Sequence, residues 1–433
     1  LAKKKNVEKQ KRQFTKRQLS SIKRQKRRQH IILYGGILII TVVVVVVFIG
    51  LYMGEIRPYH QTVLKVYDRE FNARYFMDAV KTYAVRYFGQ FYTPEIFVQN
   101  ISTLISQTPG YFIEAELVRR AAEELGITVG DDEVKDSLKE NGQPVNDASI
   151  DFDRLALLEE KLLEDYFGPD LPPTAPQVNI MAMFLESEQQ ANDITGELEA
   201  GTEFTTLAEE YSLQNYTQSE KGDLGWHVRE VLEVYLQSTV PVDYAFGAEA
   251  GTLSPPLFDE EFTKSVGYWV VKILDKPAED QAHLQVILVG NLQEAESIVQ
   301  RLIDGEDFGE IAMDVSQDEE SRDSGGDLGV VTKGERTEAF DEFIFNSDFN
   351  VGDILPPIRD EQTATKGGYW LVDVVDKADS RPLEEGDQEL LLNTAYSDWV
   401  SQLWEEATDY VNTNYLTQEL QAWIIEKLID ETS

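Results

Sequence analysis

There is no cysteine among the 433 residues. That excludes disulfides, thiolate nucleophiles, cysteine-bound zinc or iron–sulfur centres, and a lipid anchor on an acylated cysteine. Histidine is scarce too: the four are His30, His60, His227 and His283, and no two have the spacing of a metal-ligand pair. No cofactor and no metal is expected. Net positive charge is confined to one end. Residues 1–30 hold 13 Lys/Arg and one Glu, 13 − 1 = +12, against a total of 39 − 78 = −39, so the remainder carries −39 − 12 = −51. A body so acidic is not expected to take nucleic acid as a partner. Its carboxylates, including the pair Asp131-Asp132, read as a solvated surface that keeps the protein soluble.

Between the basic tail and the acidic body lie residues 31–53, 23 residues without a charge. At 1.5 Å per residue they span about 35 Å, enough for a bilayer core of about 30 Å. The run Val42–Val47 is a poor helix former in water, but lipid forces the backbone to satisfy its own hydrogen bonds. The basic flank stays inside, so the expected topology is a single pass through the cytoplasmic membrane, N-terminus inside and the bulk of the chain outside. The stretch is longer than a signal-peptide core and lacks a small-residue cleavage site, which favours a retained anchor.

The body contains a duplication. Gly201-Thr-Glu-Phe204 aligns with Gly305-Glu-Asp-Phe308 at an offset of 305 − 201 = 104. The same offset aligns Ser212 with Ser316, and Gly222-Asp-Leu-Gly225 with Gly326-Asp-Leu-Gly329. Further on the offset becomes 368 − 267 = 101, matching Pro255-Pro256 to Pro356-Pro357, Gly267-Tyr-Trp269 to Gly368-Tyr-Trp370, and Asp275-Lys276 to Asp376-Lys377. A period near 100 residues means duplicated domains rather than a solenoid. Each copy reads as a strand (178–185; 284–289), helical stretches, a Gly-Asp-Leu-Gly turn, a short helix and two strands. The order β-α-α-α-β-β predicts an α+β domain with a small, mostly antiparallel sheet.

This ordered set, present twice, resembles the parvulin-type (PpiC, rotamase) peptidyl-prolyl isomerase domain, over residues 175–277 and 280–378. Residues 58–172, with 63–80 and 117–134 read as helical, look like the chaperone segment that precedes such domains in SurA- and PrsA-type foldases. The helical spacing of Leu416, Leu420, Trp423, Ile424 and Leu428 makes 384–433 a C-terminal segment that, as in that family, is expected to pack back on 58–172. A free-standing amphipathic helix is disfavoured by its acidic polar face. The resemblance implies a membrane-anchored foldase acting on unfolded or Pro-containing polypeptide clients. Two other classes stay open: an inactive holdase or scaffold, and a structural subunit of an envelope or secretion-associated complex.

Rotating an X–Pro amide meets a barrier of about 20 kcal/mol and needs no nucleophile or metal. It needs a pocket that grips the proline ring and favours the twisted amide. The resemblance implies a hydrophobic pocket beside two histidines and an aspartate or cysteine. The first-strand histidine falls on Ala182 and Val286, and the last-strand histidine on Trp269 and Trp370. The aspartate position falls on Gln214 or Asn215 in the first copy and on Asp318 in the second. Pocket aromatics fall on Phe340 and Phe345 in the second copy, where Arg336 takes a methionine position. In the first copy only Phe246 is clear, Pro241 standing where Phe340 would. The expected site is Asp318 with Phe340, Phe345 and Trp370; Phe246 and Trp269 are its counterparts in the first copy. Either tryptophan could equally be core. Isomerase activity is expected to be weakened or lost, with the second copy the better candidate and the first inactive. His283, three residues before Val286, should point away from it, and His227 should lie on the surface.

Overall fold

The computed structural model describes residues 16–345 and 349–432. Contact density divides the chain into two compact units, Leu1–Phe167 with Tyr396–Ser433, and Gly168–Ala395.

The first unit begins with the helix Lys16–Leu51. Leu33–His60 is one helix long and apolar enough to cross a membrane. The large apolar side chains between positions 33 and 56 are exposed, with no protein packed over them. Residues 63–80 are not helical throughout. β1 (Thr62–Val66) and β2 (Arg69–Asn72) form a hairpin before the helix Ala73–Phe88 begins. Leu64 and Val66 alternate as in a half-buried strand, after an irregular register at Val63, and Tyr67 turns the chain with φ of +51°. Asn72 then caps the helix, its side chain accepting from the Tyr75 N–H at 3.0 Å. Residues 117–134 are likewise interrupted: the helix Pro94–Glu124 stops before Gly126 (φ +80°), and a new one runs Asp131–Glu140. Phe71, Phe76, Phe112 and Phe152 share one core with Leu420, Ile424 and Leu428 of the helix Gln418–Thr432, joining distant stretches of chain. Glu116, buried in this unit, would be costly alone. It is held by Arg69 at 2.9 Å, Arg119 at 2.8 Å and Arg120 at 3.5 Å.

The second unit contains two antiparallel sheets. Its strands are β3 (Thr174–Leu185), β4 (Asp223–His227), β5 (Thr252–Leu253), β6 (Leu257–Lys264), β7 (Gly267–Ala278), β8 (Gln281–Val289), β9 (Asp327–Thr332), β10 (Ile358–Asp360) and β11 (Thr365–Pro382). One sheet has the order β4-β3-β11-β5 with β6 also along β11, and the other β10-β7-β8-β9. The element order is that expected, but the pairing is not. The last strand of each repeat lies beside the first strand of the other. β11 pairs β3, with Trp370 opposite Phe184 and Val372 opposite Ala182. β7 pairs β8, with Trp269 opposite Leu288 and Val271 opposite Val286. The strand pairing therefore crosses the division at 277–280. Residues 267–360 form a continuous inner parvulin-like unit, with its last strand placed first. The outer unit is split into 174–264 and 365–382 around it. The two last strands begin almost identically, Gly267-Tyr-Trp-Val-Val and Gly368-Tyr-Trp-Leu-Val.

The repeated small motifs hold each sheet to its helices. Ser212 Oγ accepts from the Phe184 N–H at 3.0 Å and Ser316 Oγ from the Leu288 N–H at 3.1 Å, fixing the end of each first strand. Gly222 and Gly326 open the Gly-Asp-Leu-Gly turns at φ of +77° and +79°. A Cβ at Gly222 would stand 2.8 Å from both Phe204 and Ala208, and one at Gly326 2.5 Å from the Val286 carbonyl. Glycine is needed at both for its backbone freedom and for close packing.

Candidate prolyl-binding site

The inner unit carries a cavity of about 310 Å³, lined by two aromatics, Trp269 and Phe340, and by the polar Glu335, Arg336, Thr337, Asp360, Gln362 and Thr363. Its parts come from both repeats. Phe340 lies on the helix Glu338–Ile344, which Thr337 caps. Asp360 ends β10, and Trp269 arrives on β7 from the first repeat. The Trp269 and Phe340 rings meet edge to face, with centroids 5.4 Å apart.

At the base of the cavity is a buried carboxylate, Asp360, 1% exposed. Its Oδ2 accepts from Thr337 Oγ1 at 2.6 Å, Thr363 Oγ1 at 2.8 Å and Trp269 Nε1 at 3.2 Å, and its Oδ1 from the Gln362 N–H at 3.0 Å. Burial pushes this carboxyl up. The bonds from Thr337, the Gln362 amide, Thr363 and Trp269 outweigh it and hold the group below the usual carboxylate range. The outer unit repeats the cluster 360 − 259 = 101 residues earlier. Asp259 Oδ2 accepts from Ser238 Oγ at 2.5 Å and Trp370 Nε1 at 3.0 Å, and its Oδ1 from the Glu261 and Phe262 N–H groups at 3.3 and 3.2 Å. It too lines a cavity, of about 420 Å³, with Ser238, Val240 and Phe262.

Of the residues expected at the second copy's site, Phe340 lies on this cavity wall. Phe345 is half-buried against the same core without lining the cavity. Trp370 is not there; the strand exchange puts it in the outer sheet against Phe184 and Phe262, at 4.9 and 5.3 Å between centroids. Trp269, expected as its first-copy counterpart, stands in its place. Both tryptophans are buried, at 4% and 0% exposure. Asp318 does not line the cavity either. Its Oδ2 accepts from the Ser321 N–H at 3.1 Å and Ser321 Oγ at 2.5 Å, which shapes a turn. Gln214, at the same repeat position, makes the same kind of cap, accepting from the Thr217 N–H at 2.6 Å. Phe246 is half-buried beneath the Arg229 guanidinium at 4.8 Å, and its carbonyl accepts from Lys377 Nζ at 2.7 Å.

His283 points away from buried Val286, its Nε2 2.8 Å from Asp327 Oδ1. His227 is not a surface residue: its ring is 14% exposed, with Nδ1 2.7 Å from Asp387 Oδ1 and its edge on Tyr235. The residues that sequence reasoning missed are Asp259 and Asp360 with their hydroxyl donors. The 101-residue offset aligns the two aspartates as it aligns the tryptophans. They were hidden among neighbouring carboxylates that are solvated.

Three stretches of the chain match known protein families. Residues 183–275 and 268–378 each match the PPIC-type PPIASE domain, and residues 19–159 match the SurA-like N-terminal domain. Chaperone SurA of Chromohalobacter salexigens is 26% identical over 267 residues, covering 58% of this chain and 56% of that protein. Foldase protein PrsA of a Geobacillus species is 31% identical over 127 residues, covering 28% of this chain and 44% of that protein. The chain thus spans about half the length of the curated relatives it matches. The crystal structure of PrsA from Bacillus subtilis aligns over 77% of this chain and 88% of its own, at 13% identity and a TM-score of 0.20. The chain is built of a SurA-like N-terminal domain followed by two PPIC-type domains, the types of domain that make it similar to the SurA and PrsA proteins.

Proposed function

We propose that this protein is a membrane-anchored, extracytoplasmic foldase that binds extended, apolar or Pro-containing segments of unfolded polypeptides, and that its isomerase activity is weak and confined to the inner unit. The observation that carries this reading is the small cavity where Trp269 and Phe340 meet a polar rim that includes Arg336, a place where a proline ring can dock. Anchoring through residues 31–53 rests on the apolar helix and its basic flank, and the acidic body keeps clients' own carboxylates from holding tightly. Weak binding suits a chaperone, because a client held firmly could not fold.

The chemistry available is limited by what surrounds Asp360. Catalysis requires stabilising the twisted amide more than the planar one. The Asp360 carboxylate already accepts four hydrogen bonds, and the hydroxyls of Thr337 and Thr363 donate to it rather than into the cavity. A tryptophan replaces the histidine that the family resemblance implies on the last strand. What remains is desolvation of the prolyl bond and the polar rim at Arg336, which is tied to Glu320 at 2.6 Å. That favours a modest rate gain over a large one. In the outer unit the position of Phe340 is Pro241, and Asp259 is likewise saturated, which favours a binding role without catalysis there.

The test is exchange spectroscopy by NMR on a short Pro-containing peptide, with the full chain in detergent. Acceleration above the uncatalysed rate, abolished by Phe340→Leu in a folded protein, is the expected result. Peptide binding without acceleration would leave a holdase. Neither binding nor acceleration, with one stoichiometric partner recovered from membranes, would point to an envelope-complex subunit instead.

A further inference from the structure

Where the two parvulin units exchange strands, the chain crosses itself. The connection from β6 to β7 runs through residues 264–267, and that from β10 to β11 through residues 360–365. The two segments pair with each other, Lys264 opposite Thr365 and Thr263 opposite Lys366. Thr365 Oγ1 donates to the Val266 carbonyl at 2.5 Å. Gln317 clasps the second connection twice, accepting from the Lys366 N–H at 2.7 Å and donating to its carbonyl at 3.2 Å.

Lys264 sits inside this crossing at 2% exposure. Its ammonium donates to the Gly367 carbonyl and, at 3.5 Å, to that of Lys366. Among the described residues no carboxylate is within ion-pair distance; Glu186 and Glu294 act on it from farther off. A buried lysine on backbone carbonyls alone is expensive to keep, and burial brings its amine down to about 8. Gly290 makes room for it: a Cβ there would lie 3.0 Å from the ammonium. The equivalent position of the second repeat, 264 + 101 = 365, is threonine, so the repeat itself does not demand a lysine.

The rest of the crossing is close to degenerate. Asp259 and Asp360, and Trp269 and Trp370, occupy matching positions, so either strand could complete either Trp–Asp cluster. By the repeat offsets, self-contained pairing would set Lys272 opposite Met181, as Asp373 now stands, instead of opposite Gln285. We propose that the crossover is a latch: the chain can close its two parvulin units in an exchanged or a self-contained strand pairing, and the Lys264 ammonium on the Lys366 and Gly367 carbonyls holds the exchanged one. Passing between pairings requires stripping the long β3–β11 ladder, so the choice is made during folding, as in domain swapping. In the exchanged form each buried aspartate takes its tryptophan partner from the other repeat, and neither unit can open its last strand without disturbing its neighbour.

The absence of cysteine gives a clean assay. Two full-length variants are refolded from denaturant in detergent and oxidised, one with Lys272→Cys and Gln285→Cys, the other with Lys272→Cys and Met181→Cys. With Lys264 present, the 272–285 disulfide should dominate within one chain and the 272–181 disulfide should be at trace level. Adding Lys264→Thr, the residue the second repeat carries, should raise the 272–181 product about tenfold or more. Lys264→Met keeps the stem without the charge and should act alike if threonine impairs folding. A 272–285 disulfide unchanged in both Lys264 variants overturns the latch. A dominant 272–181 product with Lys264 intact, or a 272–285 disulfide found only between chains, overturns the exchanged pairing itself. None of these outcomes depends on isomerase activity.

Discussion

The two parvulin units share a buried aspartate bonded to a tryptophan indole and a hydroxyl, yet their walls differ. In the inner unit Phe340, 1% exposed, meets Trp269 edge to face at the cavity. In the outer unit the corresponding position is Pro241, and Phe262 and Phe184 pack against Trp370 instead. Duplication preserved the polar cluster, which supports the strand ends of both units. It did not preserve the aromatic at the cavity. The cluster is therefore architecture, and the aromatic is what distinguishes the inner unit from the outer.

The largest effect should come from removing that aromatic. Phe340→Ala empties a buried ring from the inner core and should cost about 3–5 kcal/mol, read as a lowered urea midpoint. Phe246→Ala, on a half-buried ring in the outer unit, should cost about 1–2 kcal/mol, much of it the lost stacking of Arg229. Equal losses would mean that both units use their aromatics alike, and the contrast would fail.

Asp360 gives a somewhat smaller effect with a pH signature. Replacing it by alanine strands the indole N–H and two hydroxyls in a buried place, at a cost of about 2–3 kcal/mol. Its folded-state pKa lies below the ordinary 3.8. Its contribution is therefore fully present above the ordinary value and is lost as pH falls through the lowered one. Asp360→Asn should flatten the acid unfolding curve below about pH 4 while leaving its shape near neutrality unchanged. A variant with the same acid limb as the parent would show that Asp360 is not held in its charged form.

Much of this was legible in residue order and some was not. The offsets of 104 and 101 exposed the duplication, and Ser212/Ser316 and Gly222/Gly326 proved to be the joints of each sheet. Pairing could not be read, because Gly267-Tyr-Trp and Gly368-Tyr-Trp are the same strand in hydrophobic pattern, and register rules hold equally for either partner. The aspartates escaped because Asp259-Glu-Glu261 and Asp360-Glu361 look like the acidic surface around them; burial alone separates them. The hairpin at Thr62–Asn72 escaped because its strands, of five and four residues, are too short for alternation to outweigh the helical pattern that follows.

Asp318, expected at the site, is engaged in a turn. By resemblance it is the polar group of the prolyl site, but the structure spends its carboxylate on Ser321, and Gln214 does the same for Thr217 in the outer unit. An amide and a carboxylate making the same turn argue that the position selects a side-chain acceptor, not an acid. Asp318→Asn keeps an acceptor and should leave both stability and prolyl exchange nearly unchanged. Asp318→Ala removes the cap and should cost about 1 kcal/mol, again without a specific loss of exchange rate. A loss of rate in Asp318→Asn at unchanged stability would return the carboxylate to the chemistry, and would make the inner unit an isomerase that works through Asp318 rather than through the walls of its cavity.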